Sequence, residues 1–227
     1  NKIQEVLSRG DLLLRQNLDD FEKTISNYVG VNHTIGVNSG TDALHLAVEA
    51  AGIQTDDEVI TSSHTFVATG AAIHHSGAKP VLVDIGEDHN IDANLIENMI
   101  TDKTKAIMPV HLNGRLCDMD KITAIANKYN LLIIEDAAQA LGATFKGKKA
   151  GSFGLAGCFS FYPAKLLGAY GDAGAVVTSD NALAENISYL RNHGRMDNGD
   201  VSGWAYNTRL DNLQAAILQI KFKQFPN

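Results

Sequence analysis

The chain has 227 residues, of which 44% are hydrophobic and 20% charged, a balance typical of a folded globular protein. Its formal net charge of -7 argues against a nucleic-acid-binding protein, which usually carries a basic balance. No apolar run reaches the roughly eighteen residues of a membrane span, and no signal peptide is visible. Cys117 and Cys158 form no disulfide framework or metal-ligand pattern, so we expect a cytoplasmic protein without a metal site.

Strand-like and helix-like segments alternate along the chain. Residues 1–28 have helical spacing with a break at Gly10. Beyond them, short apolar runs suit strands that are covered on both faces by helices. The strand candidates are 34–37, 58–61, 80–84, 105–110, 131–135, 159–161 and 174–178, and the helix candidates are 41–51, 66–75, 93–100, 119–129 and 183–191. This alternation predicts an α/β fold with a largely parallel sheet.

The last helix candidate begins near Leu210 and is rich in apolar residues. Because such a helix needs cover, we expect a further C-terminal portion that this chain lacks. We therefore expect three parts: an N-terminal helical segment at 1–20, a large domain at 21–209, and the start of a helix at 210–227 that leads to a C-terminal domain.

Ligands of open α/β sheets bind outside the carboxyl ends of the strands. The polar residues that directly follow the apolar runs are therefore candidate site residues. They are Ser39 to Thr41, Ser62 to Thr65, Asp84, His111, Asp136 and the segment from Ser160 to Lys165.

The turn from Val37 to Thr41 joins a strand candidate to a helix candidate. Free N–H groups and the helix dipole favour an anion there, and Gly40 lets the backbone approach a phosphate. The hydroxyls of Ser39 and Thr41 can add hydrogen bonds. A serine or threonine before a helix is more often only an N-cap, and for this segment alone that is the better interpretation.

Asp136 follows the apolar run 131–135. A carboxylate at the end of a buried strand is costly unless it is paired. A protonated pyridine nitrogen is a fitting partner, because pyridoxal phosphate (PLP) acts as an electron sink only while that nitrogen keeps its proton. A helix N-cap before Ala137 explains this residue equally well by itself.

Lys165 lies between two strand candidates, among Phe161, Tyr162 and Leu166. Apolar surroundings favour a neutral amine, which can react with an aldehyde to form a Schiff base. The alternative is a surface lysine in a loop, and the local sequence leaves that alternative open.

Other motifs are weaker. Residues 142–149 nearly match a P-loop, but Lys149 replaces the required serine or threonine, so we predict a basic turn. Gly168, Gly171 and Gly174 have the spacing GxxGxxG rather than the dinucleotide fingerprint GxGxxG. His74 has His75 beside it but no matching ligand pair, which argues against a metal site.

Six segments together resemble the DegT/DnrJ/EryC1/StrS family of sugar aminotransferases, PLP enzymes of the aspartate-aminotransferase fold (fold type I). The segments are FEKTISNYVGVNHTIGVNSGTDALHLAV, DEVITSSHTFVATGAAI, GAKPVLVDI, IEDAAQALGATFKGKKAGSFG, FSFYPAKLLGAYGDAGAVVTSD and YNTRLDNLQAAIL. They span Phe21 to Leu218 in the order of the family. The resemblance implies that 21–209 is a PLP-binding large domain and that the small C-terminal domain is largely absent.

The resemblance also implies roles for individual residues. Lys165 would hold PLP as a Schiff base, and Asp136 would bond its pyridine nitrogen, so both would be catalytic. The remaining implied cofactor contacts are Gln139 to the phenolic oxygen, Phe66 and Ala138 to the two ring faces, Gly40, Thr41 and Ser160 to the phosphate, and Asn207 to the phosphate bound by the partner subunit. The active unit would then be a homodimer with shared sites.

The implied reaction transfers an amino group from L-glutamate to a nucleotide-linked keto-sugar, a 3- or 4-keto hexose, in amino sugar biosynthesis such as that of a polysaccharide. Sugar position, nucleotide carrier and pathway stay open. A PLP-dependent sugar dehydratase is an alternative, but that branch has histidine in place of the lysine. A non-catalytic regulatory protein of the same fold is another alternative. A nicotinamide oxidoreductase is a weaker one, because its fingerprint is missing.

Overall fold

A computed structural model describes residues 2–196 and 198–225 of the chain. Strands and helices alternate through most of it, as the sequence predicts. The strands are β1 (His33–Val37), β2 (Glu58–Ser62), β3 (Lys79–Val83), β4 (Thr104–Met108), β5 (Leu132–Asp136), β6 (Thr144–Phe145), β7 (Lys148–Lys149), β8 (Ala156–Ser160) and β9 (Gly174–Thr178). The α-helices are α1 (Lys2–Arg9), α2 (Gln16–Val29), α3 (Gly40–Ala50), α4 (Val67–His75), α5 (Ala93–Ile96), α6 (Met119–Tyr129), α7 (Asn181–Leu190) and α8 (Asn212–Phe222), and short 3₁₀ helices cover Glu97–Met99 and Leu112–Gly114.

Seven strands form one sheet in the order β1-β9-β8-β5-β4-β2-β3. The five strands from β8 to β3 are mutually parallel, which confirms the prediction of a largely parallel sheet. β9 runs antiparallel to both of its neighbours, β8 and β1. The sequence did not predict this reversal, because a buried apolar run has the same pattern in either direction.

Helices cover both faces of the sheet, so most strands are apolar along their whole length. One face packs against α3 and α7, where the cluster includes Leu44, Leu46 and Ile187. The other face has two clusters. One of them contains Phe21 and Leu218 from α2 and α8, and the other is built around α5 and α6.

The two ends of the described chain pack together. The N-terminal stretch forms two helices separated by Gly10, which adopts a positive φ of 68°. α2 runs through residue 20, and both α1 and α2 contact α8. The described helices of the segments expected at 1–20 and 210–227 therefore lie against each other, and the division of the chain into three parts stays a prediction.

The segment that nearly matches a P-loop forms a two-stranded hairpin, β6–β7. Its turn residues Lys146 and Gly147 have φ values of 50° and 81°, which suits a tight hairpin turn. It is a basic turn, as the sequence predicts. None of the helices in the described part of the chain combines the length and the apolar character that a membrane crossing requires.

Candidate active site

A cleft of about 610 Å³ opens at the carboxyl ends of β5 and β8 and at the start of α3. Eight of the nine residues predicted as site residues line it. They are Gly40, Thr41, Phe66, Asp136, Ala138, Gln139, Ser160 and Lys165. Their convergence follows from the topology, because neighbouring parallel strands end at the same edge of the sheet.

Asp136 is the last residue of β5 and is 6% exposed. Its Oδ2 accepts a hydrogen bond of 2.7 Å from Thr69 Oγ1, and its Oδ1 accepts one of 3.2 Å from the N–H of Ala138. Burial raises the pKa of Asp136, while those two hydrogen bonds and the positive charge of Lys165 act in the opposite direction. No lysine or arginine forms an ion pair with this carboxylate among residues 2–196 and 198–225.

The sequence left two interpretations of Asp136, a partner for a protonated ring nitrogen and a helix N-cap, and the structure bears on the second. The bond from Ala138 N–H resembles a local cap. However, β5 is followed by turns rather than by an α-helix, so helix capping does not explain the residue. Its carboxylate instead lines the cleft as a buried acid that has no ion-pair partner within the described part of the chain.

Glu135 precedes Asp136 on β5 and is fully buried on the other side of the strand. Its carboxylate accepts hydrogen bonds from the N–H groups of Gly151, Phe153 and Gly154 at 2.6–2.9 Å. It also lies 2.9 Å from Nε2 of buried His111, whose Nδ1 accepts from the N–H of Cys117. That bond assigns the ring proton to Nε2, so His111 donates to Glu135.

The turn before α3 combines a helix cap with a close backbone approach. Ser39 Oγ accepts from the N–H of Asp42 at 3.0 Å, so Ser39 is the N-cap that the sequence left as one interpretation. A Cβ added at Gly40 would lie 2.6 Å from Cβ of Ser160. Glycine at position 40 therefore allows the helix start and the end of β8 to meet, with Thr41 and Ser160 on the cleft wall.

Lys165 lies in the loop between β8 and β9 and is half-buried. Its N–H donates to the carbonyl of Tyr162 at 2.8 Å, and the N–H of Ala169 donates to the carbonyl of Phe161 at 2.8 Å. The backbone is tightly packed, since a Cβ at Gly168 would lie 2.4 Å from the carbonyl oxygen of Pro163. The backbone of this loop is thus closely packed, and the role of Lys165 as the Schiff-base lysine stays a prediction.

Gln139, Phe66 and Ala138 complete the cleft. Gln139 Oε1 accepts from the N–H of Asn113 at 2.9 Å, which leaves its amide NH₂ for other partners. Phe66 is 69% exposed, a large apolar ring presented to solvent at the cleft.

Asn207 is the one predicted site residue that does not line the cleft. It lies on an exposed segment and forms an isolated β-bridge with Asn192. The prediction places it at the partner subunit's cofactor, so its role stays a prediction.

Sequence reasoning missed Thr69, which is completely buried and bonds directly to Asp136. It had a signal: Thr69 is the only hydroxyl residue in the helix VATGAAIHH. A lone hydroxyl within an apolar helix needs a partner, which a carboxylate can supply.

The chemistry of the cleft fits pyridoxal phosphate. Lys165 offers a primary amine for the aldehyde, and Asp136 offers a buried carboxylate for the protonated ring nitrogen. Thr41, Ser160 and the start of α3 offer hydrogen-bond donors for a phosphate.

The model of the DegT/DnrJ/EryC1/StrS aminotransferase family matches residues 1–227. The dTDP-3-amino-3,6-dideoxy-alpha-D-galactopyranose transaminase of Aneurinibacillus thermoaerophilus is 50% identical over 220 residues, which cover 96% of this chain and 61% of the relative. The pleiotropic regulatory protein of Geobacillus stearothermophilus is 46% identical over 221 residues, which cover 97% of this chain and 59% of the relative.

The crystal structure of NtdA from Bacillus subtilis with bound cofactor PMP matches the fold with a TM-score of 0.93 and 39% sequence identity. The match covers 99% of this chain and 52% of that chain. The chain therefore spans about three fifths of the two relatives' length and about half of the solved structure.

Proposed function

Since the chain belongs to the DegT/DnrJ/EryC1/StrS aminotransferase family, we propose that it is the cofactor-binding part of a PLP-dependent aminotransferase that transfers an amino group from L-glutamate to a nucleotide-linked keto-sugar. The observation that carries the proposal is the cleft itself, which is lined by both Lys165 and the buried carboxylate of Asp136. The name of the Aneurinibacillus relative, a dTDP-sugar transaminase, supports the substrate class.

When bound, PLP supplies an aldehyde that bonds amines covalently and a ring that takes up the electron pair released from a C–H bond. Asp136 accepts a hydrogen bond from the ring N–H and keeps the proton on that nitrogen. Lys165 Nζ would hold the cofactor covalently and, as a free amine, would carry the proton from the donor's α-carbon.

The remaining cleft residues bind and orient the cofactor. Thr41, Ser160 and the amide of Gly40 hold the phosphate at the start of α3. Phe66 would cover one face of the ring and Ala138 the other. The NH₂ group of Gln139 donates to the phenolic oxygen, because its Oε1 already accepts from Asn113.

The active unit in this proposal is a homodimer in the cytoplasm. Asn207 lies on an exposed segment and does not line its own cleft, which supports a role at a partner's phosphate. Sedimentation of the full-length gene product tests the dimer, and loss of PLP affinity in Asn207→Ala tests the contact between subunits.

The first test is a visible absorption spectrum with added PLP, recorded before and after excess L-glutamate. The wild type should show a yellow band that glutamate removes. Lys165→Ala should lack that band and lose transamination by about 10²–10⁴-fold, because its proton-transfer group is gone. Lys23→Ala, which changes an exposed lysine of α2, is the matched control and should behave like the wild type.

The spectrum is recorded on this chain and on the full-length gene product. A Lys165→Ala variant that transaminates at the wild-type rate would contradict the mechanism. Absence of a band in both wild-type proteins would overturn the PLP proposal.

A regulatory protein of the same fold is the second candidate, favoured by the name of the Geobacillus relative. It predicts a yellow band that does not change with L-glutamate or any other amino donor. A sugar dehydratase is disfavoured by Lys165, and release of ammonia instead of 2-oxoglutarate would identify it.

A further inference from the structure

Two threonine hydroxyls stand behind the carboxylate of Asp136. Thr69, on the first turn of α4, is completely buried, and its Oγ1 lies 2.7 Å from Asp136 Oδ2. Thr65, just before α4, places its own Oγ1 at 2.6 Å from Thr69 Oγ1 and lines the cleft. The three side chains thus form a continuous chain of short hydrogen bonds from the cleft wall to the carboxylate.

The protons of this chain have one direction. A hydroxyl has a single proton to donate, and an ionised carboxylate only accepts. Thr69 therefore gives its proton to Asp136 and can only accept from Thr65, which makes Thr65 the donor. Hydrogen bonds that run in one direction polarise and strengthen one another. The bond from Thr65 to Thr69 therefore strengthens the bond from Thr69 to Asp136.

We propose that Thr69, supported by Thr65, is a positioning residue that holds the carboxylate of Asp136 in its ionised form and in the orientation needed to bind a cationic heteroaromatic N–H. The proposal rests on the proposed function for the identity of that ring. It adds two residues that do not touch the reacting atoms and act through Asp136.

The hydrogen bonds of Asp136 and its burial both indicate that its carboxylate needs the hydroxyl of Thr69. Thr69 and the N–H of Ala138 each hold one oxygen of Asp136, so the carboxylate plane is fixed. Burial raises the pKa of Asp136, and the bond from Thr69 is the largest influence in the opposite direction. Without the hydroxyl, a larger share of Asp136 would be protonated and would lack the negative charge that stabilises a protonated ring nitrogen.

Other titratable groups also face Asp136 from the elements packed around it. His111 comes from the segment after β4, Cys158 from β8 and Lys165 from the loop after β8. All three are identical in the variants compared below, so a pH shift between those variants reports the hydroxyl chain.

The test compares wild type, Thr69→Val, Thr69→Ser and Thr65→Val by titration of the full-length protein with PLP, followed by absorbance from pH 5.5 to 8.5. Valine matches the shape of threonine without its hydroxyl, and serine restores the hydroxyl. Thr69→Val should raise the dissociation constant of PLP about tenfold near pH 7, as expected for a lost hydrogen bond to a charged group.

The pH profile separates this role from a purely structural one. Affinity should begin to fall at a higher pH in Thr69→Val than in the wild type, because the pKa of Asp136 rises when the bond is lost. Thr69→Ser should stay within about twofold of the wild type, and Thr65→Val should lose about two- to threefold, since only the supporting bond is removed. If Thr69→Val does not fold, Thr65→Val still tests the chain at a half-buried position.

Two results would overturn the inference while leaving the proposed function intact. One is a Thr69→Val profile equal to that of the wild type. The other is equal weakening in Thr69→Val and Thr69→Ser at every pH, which would show that shape matters rather than the hydroxyl. Failure of the wild type to bind PLP would instead overturn the proposed function together with this inference.

Discussion

Consecutive residues of β5 carry two buried carboxylates with opposite environments. Glu135 is surrounded by three backbone N–H groups and His111, so each of its oxygens is satisfied within the protein. Asp136 faces the cleft and has no cationic partner among the described residues. Since side chains alternate along a strand, one residue fixes the scaffold and the next one is left for a ligand.

The contacts of Glu135 predict a large stability effect. Glu135→Ala should lower the free energy of unfolding by about 3–5 kcal/mol, because it leaves buried His111 and three backbone N–H groups without their acceptor. Urea denaturation followed by circular dichroism measures the change. Glu185→Ala, at an exposed position on α7, is the control and should stay within about 0.5 kcal/mol of the wild type. A loss below about 1 kcal/mol for Glu135→Ala would contradict this account.

At the scale of elements, α8 is connected to the loop that carries Lys165. The amide of Gln214 makes two bonds to Tyr170, accepting from its N–H at 2.9 Å and donating to its carbonyl at 3.1 Å. Lys221, about two helical turns further along the same face of α8, donates to the carbonyl of Gly168. The position of the lysine loop therefore depends on a helix that is distant in sequence.

Loss of the Gln214 contacts should loosen that loop. In Gln214→Ala, the amide of Tyr170 should exchange with deuterium at least about fivefold faster, because a hydrogen bond worth about 1 kcal/mol is lost. Exchange followed by mass spectrometry over residues 162–172 measures it. Gln219→Ala is the matched control on the same helix: Gln219 bonds to Lys2 and to the carbonyl of Asn17, so its loss should affect the N-terminal helices instead. Equal exchange in wild type and Gln214→Ala would contradict the coupling.

The sequence predicts individual elements well because hydrophobic periodicity is a local property. The strand candidates correspond to strands of the sheet, and the candidate at 119–129 is α6 to the residue. The candidate at 93–100 shortens to α5, followed by a 3₁₀ turn. The antiparallel direction of β9 could have been predicted from the connection that precedes it. Parallel neighbouring strands need a crossover connection, usually a helix, and the segment between β8 and β9 contains no helix.

At the scale of the whole molecule, folding without a cofactor buries the lone carboxylate of Asp136. Its folded-state pKa is raised above the unfolded value, so the folded state binds a proton more tightly than the unfolded state. Burial of the ionised carboxylate therefore destabilises the folded state. This destabilisation is present in full when the pH is above the raised pKa, and it disappears as the pH falls below the ordinary pKa of aspartate.

This linkage predicts the pH dependence of one variant. Without cofactor, Asp136→Asn should have a higher melting temperature than the wild type near pH 7, and the difference should shrink as pH is lowered toward 4. With saturating PLP the order should reverse, because the variant loses the partner of the ring nitrogen. Thermal unfolding at several pH values measures both effects, with Asp102→Asn at an exposed position as the control. A difference that is constant with pH would contradict the assignment.

The sequence predicts those residues of the candidate site that lie at strand ends or within recognisable motifs. The list of polar residues after the apolar runs already contains Asp136, Thr41 and Lys165, and the cleft brings them together. Phe66 and Gln139 come from the resemblance, because an exposed aromatic residue and an amide have no periodic signal. Thr69 was missed because its contact with Asp136 joins residues far apart in sequence.

The antiparallel pairing of β1 with β9 also has a consequence for synthesis of the chain. β1 lies at one edge of the seven-stranded sheet, and His33 pairs with Thr178 near the far end of the sheet's sequence. The ribosome therefore synthesises all the remaining strands of the sheet before β1 can pair with β9. Contacts of such long sequence separation form slowly. During translation β1 is an exposed strand edge, the kind of surface that chaperones shield and that aggregates when it is left bare. β1 is thus the first strand to be synthesised and among the last to be paired.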